Sequence, residues 1–332
     1  MSDIIKILHN RIYPYLSPAI TEKLISVPDE TLIHTMEIRI RINKPLLLVL
    51  AKADCFISSN TGLTDKPEKA YMCTKEDLSH SIQLMSRHSV YAIETELNQG
   101  FITLKGGHRV GLAGQAILDN NQLKALQNIS SLNIRINKEI IGCANFLIPY
   151  LISENVIMNS LIISPPRCGK TTLLRDIARQ ISCGIPRLQL CGKQIGIVDE
   201  RSEIGACIDG IPSVDLGFRT DVLDGCPKAQ GMLMLIRSMS PEVIITDELG
   251  RQEDTTAICE ALHAGVSVVA SAHGRTLHDA YNRPYLSDLI KNQYFDRIVV
   301  LSCQPNPGTV TEIFGKNQEI LYSLKGAVQR CG

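Results

Sequence analysis

The chain has 332 residues, of which 44% are hydrophobic and 20% are charged, and its formal net charge is zero. This composition is typical of a folded protein large enough for two domains. A neutral chain lacks the broad positive field that attracts DNA or RNA, so nucleic-acid binding is not expected as the main activity. The N-terminus does not resemble a signal peptide, and no apolar run reaches the roughly 20 residues of a membrane helix, so we expect a cytoplasmic protein.

The cysteines number eleven, and no two of them form a C-x-x-C pair. Several lie inside apolar runs rather than at the spacing of metal ligands, among them Cys183, Cys207, Cys259 and Cys303. This pattern predicts reduced thiols that pack as small hydrophobic side chains. Cys168 lies beside a lysine at a predicted helix start, where it is either an activated thiol or an inert small side chain.

Residues 1–145 mix strand and helix patterns and contain no nucleotide-binding motif, which predicts an α+β domain. Thr74 and Asp77 have the spacing of a capping box at the start of a helix. The glycine pair Gly106-Gly107 predicts the turn of a β-hairpin, and Arg135 falls on the polar face of an alternating segment. The segments predicted as strands are 37–42, 45–51, 101–104, 108–118 and 131–136.

Residues 146–332 show a different pattern, because short apolar runs now alternate with helical segments. Such runs are typical of parallel strands that are covered by helices on both faces. The segments predicted as strands are 160–164, 195–199, 242–247, 266–272, 297–302 and 309–314.

The sharpest motif is SPPRCGKTT, which matches G-x-x-x-x-G-K-[ST] except that Ser164 occupies the position of the first glycine. A predicted strand precedes it and a predicted helix follows, so backbone N–H groups and a helix N-terminus converge on one anion site. Lys170 is predicted to bridge the β- and γ-phosphates of ATP, and Thr171 to bind Mg²⁺. The predicted nucleotide-binding residues are Ser164, Pro165, Pro166, Arg167, Cys168, Gly169, Lys170, Thr171 and Thr172.

Two acids at the C-terminal end of the predicted strand 242–247 complete the predicted catalytic site. Asp247 suits a magnesium site shared with Thr171, and Glu248 suits polarisation of the attacking water. His273 follows a further strand, where it is expected to contact the γ-phosphate or the water.

The acid-rich segment 197–203, IVDERSE, follows another predicted strand. Acids at the carboxyl ends of parallel strands lie in the crevice where ligands bind. The segment is therefore either part of the site or a solvated loop.

These motifs, taken in chain order, resemble the secretion ATPases of type II and type IV systems. In those proteins an acid-rich box lies between the Walker A and Walker B motifs and a His box follows, as IVDERSEI, VIITDELG and SAHG do here. The segments EIRIRI, GGHRVGLAGQ and SLNIRI resemble, within that superfamily, the stage III sporulation protein AA family of endospore-forming bacteria. The resemblance covers about residues 10–320, departs at Ser164, and implies an α/β fold with a RecA-like P-loop NTPase core and a smaller N-terminal α+β domain.

The resemblance also implies an ATPase that forms a ring, expected to be a hexamer, with ATP between subunits. It implies membrane-protein partners in a secretion-like channel between mother cell and forespore, with this protein associated peripherally on the mother-cell side. Secretion ATPases bring first-domain arginines to the nucleotide, and Arg109 and Arg135 lie in the matching segments. The alternative for each arginine is an ordinary ion pair with a surface acid.

Two other functions stay open on the sequence. One is a RecA-like nucleic-acid-dependent ATPase or single-strand binder, although the neutral charge and the absence of tryptophan offer little for base stacking. The other is a nucleotide switch that does not hydrolyse, against which Glu248 argues, because a switch needs no such base.

Overall fold

The computed structural model describes residues 3–50, 53–86, 100–119, 122–137 and 139–324. The chain divides into two compact units, Met1–Lys138 and Glu139–Gly332. The division precedes the boundary expected at residues 145 and 146. Residues just after 138 belong to the second unit because the Ala144 N–H donates to Asp176 Oδ2 at 2.8 Å and the Ala144 side chain is fully buried.

The first unit is built on an antiparallel sheet with the strand order β4-β3-β2-β1-β7-β6-β5 among the described residues. Its strands are β1 (Thr35–Arg41), β2 (Leu47–Leu50), β3 (Asp54–Ile57), β4 (Leu63–Thr64), β5 (Phe101–Leu104), β6 (His108–Asp119) and β7 (Gln122–Arg135). Ile38 pairs with Ile134 across β1 and β7, and both side chains are buried, as the alternating pattern predicts. The predicted hairpin is confirmed by the antiparallel pairing of β5 with β6.

Short helices cover the apolar face of this sheet. They are α1 (Asp3–Ile7), α2 (Pro18–Ile25), α3 (Asp29–Leu32) and α4 (Lys75–Met85), with a π-helical turn at Leu8–Ile12 and 3₁₀ turns at Tyr13–Tyr15 and Pro67–Lys69. The predicted capping box at the start of α4 is confirmed, because Thr74 Oγ1 accepts from the Asp77 N–H and Asp77 Oδ2 accepts from the Thr74 N–H.

The second unit is built on a sheet with the order β12-β11-β13-β14-β10-β15-β16-β17. Its strands are β10 (Ser160–Ser164), β11 (Ile195–Asp199), β12 (Thr220–Asp224), β13 (Val243–Thr246), β14 (Ser267–His273), β15 (Arg297–Ser302), β16 (Thr309–Phe314) and β17 (Ile320–Ser323), preceded by a small hairpin of β8 (Ile152–Ser153) and β9 (Val156–Ile157). The pairs from β12 to β15 are parallel, and the last two pairs are antiparallel.

Helices cover both faces of this sheet, as the apolar runs predict. They are α5 (Lys170–Cys183), α6 (Lys228–Met239), α7 (Gln252–His263), α8 (Leu277–Tyr281) and α9 (Pro284–Lys291), with 3₁₀ turns at Ile148–Tyr150 and Pro186–Leu188. Every residue of β10 is buried: Ile162 packs in one core, and Leu161 and Ile163 pack in the core on the opposite face. Among the described residues, none of the helices combines the length and the apolar character needed to cross a membrane.

Two edge strands, β12 and β17, escape the sequence patterns. Neither has a buried residue; β12 begins with the polar pair Thr220-Asp221, and the apolar run of β17 is only three residues long, 320–322. Edge strands contact the sheet on one side only, which weakens the pattern on which the prediction depends.

Candidate active site

The loop between β10 and α5 carries the predicted nucleotide-binding residues. Gly169 caps the helix with φ 84° and ψ 15°, and Arg167 also has a positive φ of 60°. These two left-handed residues turn the chain from the strand into Lys170, the first residue of α5, within a few positions. A buried strand, a tight loop and a helix N-terminus in this order have the geometry of an anion site.

Ser164, which replaces the usual first glycine, is the last residue of β10. It is fully buried and lies opposite His273 of β14. Its Oγ donates to the Pro165 carbonyl at 2.8 Å, and its own carbonyl accepts from the Gly274 N–H at 3.1 Å. The extended backbone of a strand accepts any side chain, so this position does not require a glycine here.

Lys170 lies inside the loop rather than in solvent, and its side chain is buried. Its Nζ is 3.0 Å from His273 Nδ1 and 3.5 Å from the Ser164 carbonyl oxygen. Burial lowers the pKa of Lys170, and the nearby carboxylates of Asp247 and Glu248 partly counteract that effect. The predicted phosphate-binding cation is therefore held at the point where the strands β10, β13 and β14 end.

Thr171 and Asp247 lie in direct contact, as a shared magnesium site requires. Thr171 Oγ1 donates to Asp247 Oδ2 at 3.0 Å, and the Ser271 hydroxyl donates to Asp247 Oδ1. Mg²⁺ prefers oxygen ligands and is usually held through one or two carboxylates beside phosphate groups. A hydroxyl and a carboxylate beside Lys170 are oxygen donors of the kind that this ion prefers.

Glu248 has a strained backbone and a carboxylate with two partners. Its φ is 52°, and its N–H donates to Asp247 Oδ1 at 2.9 Å and to Ser271 Oγ at 3.1 Å. Its Oε1 lies 2.9 Å from His273 Nε2, and its Oε2 accepts from Arg201 Nη1 at 2.8 Å. A non-glycine residue at positive φ is costly unless the surroundings fix it, and such residues concentrate at functional sites.

The acid-rich segment after β11 is an ordered loop rather than a row of solvated acids. Asp199 is buried and accepts hydrogen bonds from three successive backbone N–H groups, those of residues 203, 204 and 205. Burial raises the pKa of Asp199 although these hydrogen bonds oppose the shift. Partial burial acts to raise the pKa of Glu200, but its pairing with Lys228 at the start of α6 and the nearby arginines outweigh burial, and the net pKa is lowered.

Arg175 of α5 is a further residue of this region that the sequence motifs did not indicate. It is buried, its Nε donates to the Ile204 carbonyl at 2.7 Å, and a second nitrogen donates to the Glu203 carbonyl. Arg175 therefore ties the acid-rich loop to the helix that follows the nucleotide-binding loop. The one indication of its role in the sequence is its position, one helical turn after Thr171.

The other predicted binding residues form the outer part of the loop. Pro166 and Arg167 are exposed, whereas Pro165 and Thr172 are partly buried. The Thr172 carbonyl accepts from the Cys143 thiol, so this residue also anchors the segment that precedes the sheet.

Cys168 and Cys303 correct the expectation that all thiols are reduced. They form a disulfide, with their Cα atoms 4.8 Å apart and a sequence separation of 135. The turn after β15 folds back against the nucleotide-binding loop, where the Gly308 N–H donates to the Cys168 carbonyl at 2.8 Å. Sequence patterns did not reveal this approach, so both proposals for the Cys168 side chain, an activated thiol or an inert one, are wrong in this state.

Arg109 and Arg135 lie opposite each other on β6 and β7 of the first unit. The Arg109 guanidinium is 4.1 Å from the centre of the Phe101 ring, and Arg135 Nε is 4.0 Å from Glu37 Oε1. Arg135 therefore has the acidic neighbour that the alternative interpretation requires, while about half of its side chain stays exposed.

The fold is that of the P-loop NTPases. Among solved structures, the ATPase DotB of Yersinia pseudotuberculosis matches with a TM-score of 0.56 and 16% identity, over 86% of this chain and 76% of that one. The pilus retraction motor PilT with bound ADP matches with a TM-score of 0.55 and 13% identity, over 91% and 86% of the two chains. At these identities the matches establish the fold, and the predicted RecA-like P-loop core with a smaller N-terminal domain is confirmed.

The family follows from the sequence comparison. The family model for sporulation stage III, protein AA, matches residues 8–321, so the chain belongs to this family. Stage III sporulation protein AA of Bacillus subtilis (strain 168) is 45% identical over 322 residues, which cover 97% of this chain and all of that protein. The predicted family resemblance is thereby confirmed.

Proposed function

We propose that this protein hydrolyses ATP with Mg²⁺ and uses the energy to drive a membrane-associated complex during sporulation. The observation that carries the proposal is the joint placement of Lys170, Thr171, Asp247 and Glu248 around one end of the parallel sheet. A nucleotide switch needs the first three groups, whereas the carboxylate of Glu248 adds the base that hydrolysis needs.

Each residue has one role in the proposed reaction. Lys170 would bind the β- and γ-phosphates, and Thr171 and Asp247 would hold Mg²⁺, which would supply charge neutralisation at the phosphate. Glu248 orients the attacking water and accepts its proton. His273 contacts Glu248 through Nε2 and Lys170 through Nδ1, so it lies between the base and the phosphate site.

The proposed assembly is a ring, a hexamer, with the nucleotide between subunits. Membership of the family and the fold shared with DotB and PilT support a secretion-type motor on the mother-cell side of a channel between mother cell and forespore. Arg109 or Arg135 of a neighbouring copy would supply the extra cation that stabilises charge on the transferred phosphate. Membrane proteins of the channel are the proposed partners, and a net charge of zero favours them over nucleic acid.

Two substitutions test the chemistry. Lys170→Ala should weaken ATP binding by at least about 100-fold, because the phosphates lose their paired cation. Glu248→Gln should leave ATP binding unchanged but lower the turnover number by about 100-fold or more, because the amide keeps the shape and removes the base. Binding is measured with a fluorescent ATP analogue, and turnover by release of inorganic phosphate.

Glu253→Gln is the matched control, since Glu253 is an exposed glutamate in the first turn of α7. It should bind and hydrolyse ATP as the unchanged protein does. Hydrolysis by Glu248→Gln at the rate of the unchanged protein would show that the base is assigned wrongly. An unchanged protein that binds ATP and releases no phosphate under any oligomeric condition would refute the ATPase proposal.

A further inference from the structure

The carboxylate of Glu248 is contacted by one residue from each of the two strand ends that flank its own strand. The strand β13 that leads to Glu248 lies between β11 and β14. His273, the last residue of β14, contacts Oε1 at 2.9 Å, and Arg201, two residues after the end of β11, contacts Oε2 at 2.8 Å. The proposed base therefore has one positioning contact from each flanking strand, and the one from Arg201 has no role in the function proposed above.

The loop that carries Arg201 is unusually well anchored. Asp199 fixes the backbone of residues 203–205 by accepting three hydrogen bonds of 2.8 Å. Ser202, which links this segment to Arg201, has a left-handed φ of 54°. Glu200 is tied to Lys228 at the start of α6. The buried Arg175 adds two further donors to the same loop. Residues on both sides of Arg201 are thus fixed by the rest of the protein, while the Arg201 guanidinium contacts the Glu248 carboxylate.

An exposed ion pair usually contributes little to stability, because solvent screens it and both side chains lose freedom on pairing. The side chain of Arg201 is 64% exposed and that of Glu248 is 22% exposed, so a stabilising role does not account for the pair. The Arg201–Glu248 pair can instead orient the carboxylate, since a misplacement of about 1 Å at a reacting group can lower the rate by a factor of about 100. Glu248 needs such control because its backbone is left-handed and its carboxylate otherwise has three rotatable bonds.

We infer that Arg201 is a positioning residue that, together with His273, orients the Glu248 carboxylate for water activation. The acid-rich loop then has a defined purpose: Asp199 and Glu200 shape and anchor it, and Arg201 acts on the base. This inference rests on the proposed ATP hydrolysis, and it adds Arg201 as a residue that positions the base.

The test compares Arg201→Ala, Arg201→Lys and Arg251→Ala. Arg251 is the matched control, because its side chain is 71% exposed and pairs at 3.8 Å with Glu200 of the same loop without touching Glu248. Arg201→Ala should lower kcat by about tenfold while KM and the affinity for the ATP analogue stay unchanged, since the residue acts on the base and not on the nucleotide. Arg201→Lys should recover part of the rate, and Arg251→Ala should match the unchanged protein.

A double variant tests whether Arg201 acts through Glu248. In single-turnover assays, adding Arg201→Ala to Glu248→Gln should reduce the residual rate no further, because the group on which Arg201 acts is already gone. A full additional tenfold loss would mean that Arg201 acts elsewhere, and the inference would fail. It would fail equally if Arg201→Ala kept or exceeded the original kcat, or lost nucleotide binding. Undiminished hydrolysis by Glu248→Gln alone would instead refute the proposed base, so the two failures are distinguishable.

Discussion

Reduction of the Cys168–Cys303 disulfide should destabilise the second unit. The bond joins residues that are 135 apart in sequence, so it removes many conformations from the unfolded chain. The chain-entropy relation gives about 5 kcal/mol for a closed loop of this length, whereas measured bridges usually contribute about 2–4 kcal/mol. With a urea slope of about 2 kcal/mol per M, that range corresponds to a midpoint lowered by about 1–2 M.

The assay is urea unfolding followed by far-ultraviolet circular dichroism, since the chain has no tryptophan to report by fluorescence. The unchanged protein is compared with and without dithiothreitol, which reduces the bond to two thiols and is itself oxidised to a cyclic disulfide. Cys303→Ser is the control, because Cys303 is exposed and its replacement leaves the buried Cys168 side chain in place. The variant should unfold at the midpoint of the reduced protein, and dithiothreitol should not move it. If dithiothreitol did not change the urea midpoint of the unchanged protein, the reasoning would be refuted.

Two further predictions concern the anchor of α5 and the assembly. Asp176→Asn should lower the free energy of unfolding at pH 7 by about 1–3 kcal/mol, because Asp176 is buried and accepts from backbone and side-chain donors. Burial raises the pKa of Asp176, but these hydrogen bonds outweigh it and the net pKa is lowered. The unchanged protein should therefore lose this stabilisation as the pH falls below about 4 towards the lowered pKa, and urea titrations at pH 7 and pH 3.5 should show the variant's deficit shrinking. Arg135→Ala should bind ATP normally but hydrolyse it slowly, and adding Lys170→Ala protein, whose arginines are intact, should restore part of the activity in mixed assemblies.

The control for the Arg135 experiment is a nearby arginine. Arg39→Ala, on the neighbouring strand and bound to the same Glu37 at 2.7 Å, should leave hydrolysis unchanged. Mixed assemblies without any rescue, although both proteins are shown to co-assemble, would mean that Arg135 does not act across a subunit interface. An Asp176→Asn deficit that stays constant between the two pH values would contradict the assigned source of its stability.

The core of the fold is predictable because its signals are local. Three of the five residues in each of the segments 160–164 and 195–199 are Leu, Ile or Val, and every position of both strands is buried, so the parallel sheet follows from local patterns. The capping box at Thr74 and Asp77 is predictable for the same reason, since its partners are three residues apart. Predictions of features that depend on a few neighbouring residues are therefore confirmed.

Features that depend on distant contacts were missed. The approach of Cys303 to Cys168 arises because β15 pairs with β10 and its following turn folds back over the loop, which no spacing of cysteines indicates. The role of Asp199 is similarly hidden, because an acid after a strand reads the same whether it binds a ligand or accepts its own backbone N–H groups. The motif identifies the segment, but it does not show that Asp199 accepts backbone hydrogen bonds whereas Arg201 contacts Glu248.

The contacts of Lys170 bear on how nucleotide affinity should be interpreted. Its ammonium group is already partnered by His273 and the Ser164 carbonyl, and it lies near the carboxylates of Asp247 and Glu248. Binding of phosphate by Lys170 would therefore exchange one set of partners for another rather than satisfy an unpaired charge. The effect of Lys170→Ala on ATP affinity is then a difference between two sets of contacts and does not measure the strength of the lysine–phosphate contact itself.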